Sequence, residues 1–382
     1  MIRVLVLCEY PSLNGGEYSL LEVAKCLQRE RVEWLFAAPP AGPLASYVRE
    51  AGWLHVPLLC TGVLGQRAPR SELREHLTEL IRRHRPQVVH ANSVSMSRLA
   101  GPVVRDLNVP GVGHLRDIVK LSAASIRDVG GHRRLLAVSA ATRDWYRACG
   151  VPSERIVVEY NGVDLDRFCP RPGAGYLHAE LGIDRQARLI GTIGQIGLRK
   201  GTDVFVGAAG HIAESVCDVH FLIVGQRYSQ KDESRVFEQR VHEQATQGAL
   251  RGRIHFLGVR ADLDRLLREL TVYVHAARQE PLGRVLLESA ATGLPVVATD
   301  VGGTREIFDT RPPSALLVPP DAVEPLAQSV QRVLSDTVVQ HDLGCAARRR
   351  AETMFDVRDT AIRLASHYSE IAGLDSGRLV KT

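Results

Sequence analysis

"ARQEPLGRVLLESAATGLPVVATDVGG", residues 277–303, sets two glutamates, Glu280 and Glu288, on either side of a glycine-bearing turn. Pro281 is suited to a first helical turn, where its missing N–H would have no partner. Val285, Leu286, Ser289 and Ala290 then follow at helical spacing, and Gly293 can end the helix in a left-handed conformation. The next run, "LPVVATD", is short and β-branched and reads as a buried parallel strand. This order predicts an α/β fold, with Glu280 at the mouth of a helix and Glu288 within it.

Eight residues at helical rise separate the two carboxylates by about 12 Å. Paired glycosidase carboxylates flank one bond and lie roughly 5 to 9.5 Å apart, so this pair is too widely spaced for that work. The spacing suits a long ligand held at both ends, with helix N–H groups between them to receive an anion. A sugar nucleotide has that layout, with hydroxyls at both ends and a diphosphate in the middle. The alternative is a pair of solvated glutamates on a surface helix.

Working outward, the same alternation runs through the chain. "IRVLVLCEYPSLNGGEYSLLEVAKCL" at the start and "ARLIGTIGQIGLRKGTDVFVGAAGHI" at 187–212 both read strand, glycine loop, helix. Short apolar strands follow each opening, among them "QVVHA", "LLAVS", "VHFLIVG" and "VYVHAA". That pattern predicts two doubly wound, Rossmann-like domains in sequence, facing each other across a cleft. The expected division is 1–170, a Gly- and Pro-rich linker at 171–186, a second domain at 187–354, and a helical segment at 355–382 packing back on the first domain.

The 382 residues, 45% hydrophobic and 24% charged, are ordinary for a soluble globular protein of two domains. No apolar run approaches the roughly 20 residues of a membrane span. Seven scattered cysteines without a C-x-x-C pair argue for a reducing, cytoplasmic setting and against a structural zinc site. Residues 1–180 hold 23 Lys and Arg against 18 Asp and Glu, whereas residues 181–382 hold 25 of each. The basic excess therefore belongs to the first half, which would attract an acidic acceptor or the anionic inner face of a membrane. Aromatic residues make up only 5% and show no RNA-binding pattern, so nucleic acid is not an expected partner.

Gly15 and Gly16 follow a strand and open a helix, which lets backbone approach a phosphate. Neither glycine loop fits G-x-G-x-x-G, and no P-loop is present. Lys200 stands beside a glycine in a chain with 43 arginines and five lysines, and a compact ammonium suits a phosphate. His90 and His114 sit at strand ends, where a histidine can meet a hydroxyl, share a proton, or simply be structural. The "DLD" triplets at 164–166 and 262–264 lie in the linker and in a helix first turn, and neither is a metal site.

These segments together resemble the retaining, nucleotide-sugar-dependent glycosyltransferases of family 4, with the GT-B arrangement of two Rossmann-like domains. "GGEYSLLEVAKCL", "VVHANS", "GHLRD", "AVSAATRDWYRACGVPSERIVVEYNGVD", "RKG" and "EPLGRVLLESAATGLPVVATDVGGTREI" occur in family order. The last carries the E-x7-E signature of the family in Glu280 and Glu288. The resemblance implies that Glu280 contacts the donor sugar and supports developing oxocarbenium charge, and that Glu288 binds the ribose. Backbone N–H groups of Leu282, Gly283 and Arg284 would hold the diphosphate, and Lys200 with Arg199 would neutralise it as it leaves. Gly15 and Gly16 would admit the donor, and His114 would face its sugar. No metal and no cofactor beyond the nucleotide-sugar co-substrate is implied, and the acceptor would be a carbohydrate, a lipid-linked molecule or a small molecule. Gln195 stands where the family usually has an arginine, and Ala276-Ala277 replace a Pro-Ser pair. A sugar-nucleotide-binding protein without turnover, or an epimerase or phosphorylase of the same architecture, is the competing reading.

Overall fold

The computed structural model describes residues 1–27, 31–61 and 66–374; the end of the segment expected at 355–382 lies outside them. The chain divides into two compact units, Met1–Gly162 with Val357–Thr382, and Val163–Asp356. Each unit is built on one sheet.

In the first unit the strands are β1 (Ile2–Leu7), β2 (Val32–Ala38), β3 (Leu54–Pro57), β4 (Val88–Ala91), β5 (Gly111–Leu115), β6 (Arg134–Ala137) and β7 (Ile156–Val158). They lie in the order β3-β2-β1-β4-β5-β6-β7, and all pairs are parallel. Both faces are covered, which is why β1 reads as an unbroken apolar run. Ile2, Val4 and Val6 enter one core with Leu20, Leu21 and Trp34, while Leu5 and Leu7 enter another with Leu77, Leu99 and Val103. The first of these cores is completed from the far end of the chain. Helix Val357–Ala372 contributes Val357, Ala361, Leu364, Ala365, Tyr368 and Ile371.

The second unit holds β8 (Arg188–Ile193), β9 (Val219–Val224), β10 (Ile254–Gly258), β11 (Val272–His275), β12 (Val296–Thr299) and β13 (Leu316–Val318). Their order is β10-β9-β8-β11-β12-β13, again with every pair parallel. The stretch read as a linker, 171–186, contains the helix Tyr176–Leu181, which belongs to this unit. Left-handed glycines at both its ends, Gly175 and Gly182, give the Gly-rich signal.

One local expectation needs correcting. The helix carrying Glu288 does not begin at Pro281 but at Arg284, and it runs to Thr292. Gly283, at φ +100°, interrupts helical geometry and forms its N-cap. Gly293 ends it in the left-handed conformation, as its position predicts.

Candidate active site

Both sheets reverse winding direction once. In the second unit the reversal falls between β8 and β11, and open α/β sheets bind ligands beyond the carboxyl ends of strands at such a point. The loop after β8 carries Arg199 and Lys200; the loop after β11 carries Glu280. Two residues 80 positions apart therefore meet: the Lys200 ammonium forms an ion pair with Glu280 Oε2. On the same oxygen, His275 Nε2–H donates a hydrogen bond of 2.9 Å, and Tyr273 Oη lies 3.0 Å from His275 Nδ1.

Glu280 is only 5% exposed. Burial alone would raise its pKa, but the Lys200 charge and the His275 hydrogen bond overcome that and hold the carboxyl well below the usual carboxylate range. The pKa of His275 is lowered too, but for a different reason. Burial lowers its pKa in spite of Glu280, so it is a neutral imidazole giving its Nε2 proton to a charged carboxylate.

The backbone of Glu280 is fixed separately. Gly303 N–H donates to Glu280 O at 3.0 Å. A Cβ on Gly302 would lie 1.9 Å from that carbonyl oxygen, at a residue whose φ is already +52°. Gly302 of "DVGG" is therefore required by the approach of one backbone to another, directly under Glu280.

Arg278 organises the cationic loop. Its Nη1 and Nη2 each donate to Asp203 at 2.8 Å, Nη1 also donates to Leu198 O at 2.7 Å, and Nε donates to Asp321 at 2.6 Å. Arg199 is exposed and makes no ion pair among the described residues. Leu282 and Gly283 are buried immediately before the helix, no side chain caps its N-terminus, and Arg284 Nε lies 2.7 Å from Glu288 Oε1 one turn on. Glu288 itself is 2% exposed.

The first unit has its reversal between β1 and β4. Gly15 and Gly16 open the helix Gly15–Cys26 just after β1, behind a capping box of Asn14 and Glu17. A Cβ on Gly15 would meet nothing within 4 Å, whereas one on Gly16 would sit 2.9 Å from Arg116 Cδ. Asn92, following β4, donates to Gly16 O at 3.2 Å and accepts from Arg116 Nε at 3.0 Å; Arg116 Nη1 donates to Asn161 at 2.8 Å. His114 belongs to this polar cluster but is only 4% exposed, with Nδ1 3.2 Å from His90 Nε2. His114, expected to face the donor sugar, is thus one of a buried histidine pair.

Sequence reasoning did not single out His275, Arg278, Asn92 or Arg116. Arg116 was within reach, two residues after His114 in "GHLRD". Asn92 lies in "VVHANS" and Arg278 in the stretch 277–303, but nothing in either segment marks them out, and only the fold brings them and His275 to their partners.

The description Glycosyltransferase Family 4 matches residues 13–167, and Glycosyl transferases group 1 matches residues 187–336. A GDP-mannose-dependent alpha-mannosyltransferase of Corynebacterium glutamicum is 23% identical, over 98% of this chain and 90% of that protein. The Escherichia coli UDP-Gal:alpha-D-GlcNAc-diphosphoundecaprenol alpha-1,3-galactosyltransferase is 24% identical, over 86% and 87%. Among solved structures, Anabaena HepE in complex with UDP and glucose superposes with a TM-score of 0.84 at 23% identity, covering 97% of this chain and all of that one. Two parallel-sheet α/β domains of this kind define the GT-B fold. The chain belongs to the group 1, family 4 glycosyltransferases and is a hexosyltransferase-type enzyme. No helix among the described residues is long and apolar enough to cross a membrane.

Proposed function

We propose that the protein moves a hexosyl group from a UDP- or GDP-sugar to an acceptor hydroxyl, with retention at the anomeric carbon and without a metal ion. The observation that carries this reading is Glu280: a buried carboxylate, kept charged by Lys200 and His275, standing just before a helix N-terminus. A fixed negative charge there stabilises the positive charge that develops on the sugar as the glycosidic bond breaks. Lys200, Arg199 and the N–H groups of Leu282, Gly283 and Arg284 receive the departing diphosphate. Arg199 supplies the cation that Gln195 does not. Glu288 takes the ribose hydroxyls. The mannosyl- and galactosyltransferase relatives and the UDP-bound neighbour support a nucleotide-sugar donor.

Thermal-shift and hydrolysis measurements with UDP-, GDP- and ADP-sugars, each with and without chelator, test the reading. Stabilisation by one nucleotide series, with chelator-resistant release of the diphosphate, is the expected result. Release abolished by chelator would overturn metal independence. Binding without release, even when acceptors are supplied, would favour a sugar-nucleotide-binding protein.

A further inference from the structure

The buried histidine pair of the first unit forms a chain with a tyrosine from the helix Val357–Ala372. Tyr368 Oη lies 2.5 Å from His90 Nδ1, and His90 Nε2 lies 3.2 Å from His114 Nδ1. None of the three side chains is more than marginally exposed. Tyr368 has no other hydrogen-bond partner among the described residues; its ring packs against Trp34 and His90. Counting protons fixes the direction of the chain. If His90 donated from Nδ1, the phenolic proton would be stranded without an acceptor in an apolar core, which is costly. Tyr368 therefore donates to His90 Nδ1, His90 carries its proton on Nε2 and donates it to His114 Nδ1, and His114 must carry its own on Nε2. Burial, reinforced by Arg116, lowers both histidines well below their ordinary range and keeps them neutral.

We infer that Tyr368 is a positioning residue which, through His90, fixes His114 as the Nε2–H tautomer, so that His114 is a permanent hydrogen-bond donor and not a proton acceptor. The geometry gives that donor a place to act. His114 Nε2 has no hydrogen-bond partner among the described residues. The residue borders a cavity of about 10 Å³ walled also by Ser19, Arg116, Glu159, Asn161 and Thr360. That is room for one oxygen of a hydroxyl or a water. The use of this donor in sugar transfer rests on the proposed transfer reaction and on the expectation, drawn from the family resemblance, that His114 faces the donor sugar, but the tautomer does not.

The test is made on the full chain with ¹⁵N-labelled histidine, by long-range ¹H–¹⁵N NMR at neutral pH, with the His114 signals identified by their loss in His114→Gln. A proton-free Nδ1 and a protonated Nε2 on His114 are expected, and Tyr368→Phe should scramble that pattern. A protonated Nδ1 in the wild type, or a Tyr368→Phe spectrum identical to wild type, would overturn the inference. The wild-type spectrum alone decides the tautomer should the variant fail to fold. In turnover, Tyr368→Phe should lose threefold to tenfold. His114→Gln, which retains an N–H donor, should remain within about tenfold of wild type, while His114→Met should fall about a hundredfold. Equal losses in the two His114 variants would remove the donor role. The expected tautomer with full activity in both would uphold the relay and refute the placing of His114 at the reaction.

Discussion

A carboxylate pressed between an ammonium and an imidazole is charged at any working pH, and that decides what Glu280 can contribute. It cannot act as a proton donor, so its contribution to sugar transfer is electrostatic and greatest when the sugar is most cationic. Glu280→Gln keeps the shape and a hydrogen-bond acceptor for His275 but removes the charge. Turnover should fall by about a hundredfold or more, while the donor KM changes less than about threefold. Steady-state kinetics on the folded fraction check this, and an unchanged kcat would remove Glu280 from the mechanism. The same substitution leaves Lys200 without its counter-charge, so a loss of about 1–3 kcal/mol in unfolding free energy should accompany it. At this scale the sequence was informative where a motif encloses both partners, as with Glu280 and Glu288. It was silent on Lys200 meeting Glu280, because that contact depends on which strands end side by side.

Among elements, the strands were legible because burial on both faces writes continuous apolar runs. Their order was legible only through the doubly wound, Rossmann-like reading, which sets β1 beside β4 and β8 beside β11. The helix boundary at Arg284 was missed for a local reason: Pro281 suits a helix start, but the positive φ of Gly283 two residues later prevents one. Buried histidines near β4, β5 and β6 make the stability of the first unit depend on pH. His132, held at 0% exposure with Nε2–H donating to Ser97 O at 2.9 Å, has its pKa lowered by burial to about 4. Between pH 6.5 and 4 the unfolded chain binds a proton there that the folded chain does not, so stability falls as pH falls. Lowering pH from 7 to 5 should therefore remove about 2 kcal/mol through His132 alone. Urea denaturation of the wild type and of His132→Gln at both pH values reads this. An equal drop in the two proteins would show that another group is responsible.

At the scale of the whole molecule, the second unit is contiguous in sequence and the first is not. The fragment Val163–Asp356 carries a complete sheet, its core and the Lys200–Glu280–His275 cluster. It should fold alone and retain nucleotide-sugar binding, as circular dichroism and calorimetry can check; an unfolded fragment would mean that the unit needs the rest of the chain. A chain stopped after Asp356 should show the same independence by hydrogen exchange, with protected amides surviving in β8–β13 and lost in β1–β7.

The helix Val357–Ala372 also sets a timetable for synthesis. The seven strands of the first sheet leave the ribosome early, yet the face carrying Ile2, Val4 and Val6 stays only partly covered until nearly two hundred further residues have been added. At 5–20 residues per second that wait is roughly 10 to 40 s. An apolar sheet partly exposed for so long is a natural client for a chaperone. Because Tyr368 is made more than two hundred residues after His114, His90 and His114 acquire their final proton arrangement only once that helix has been translated.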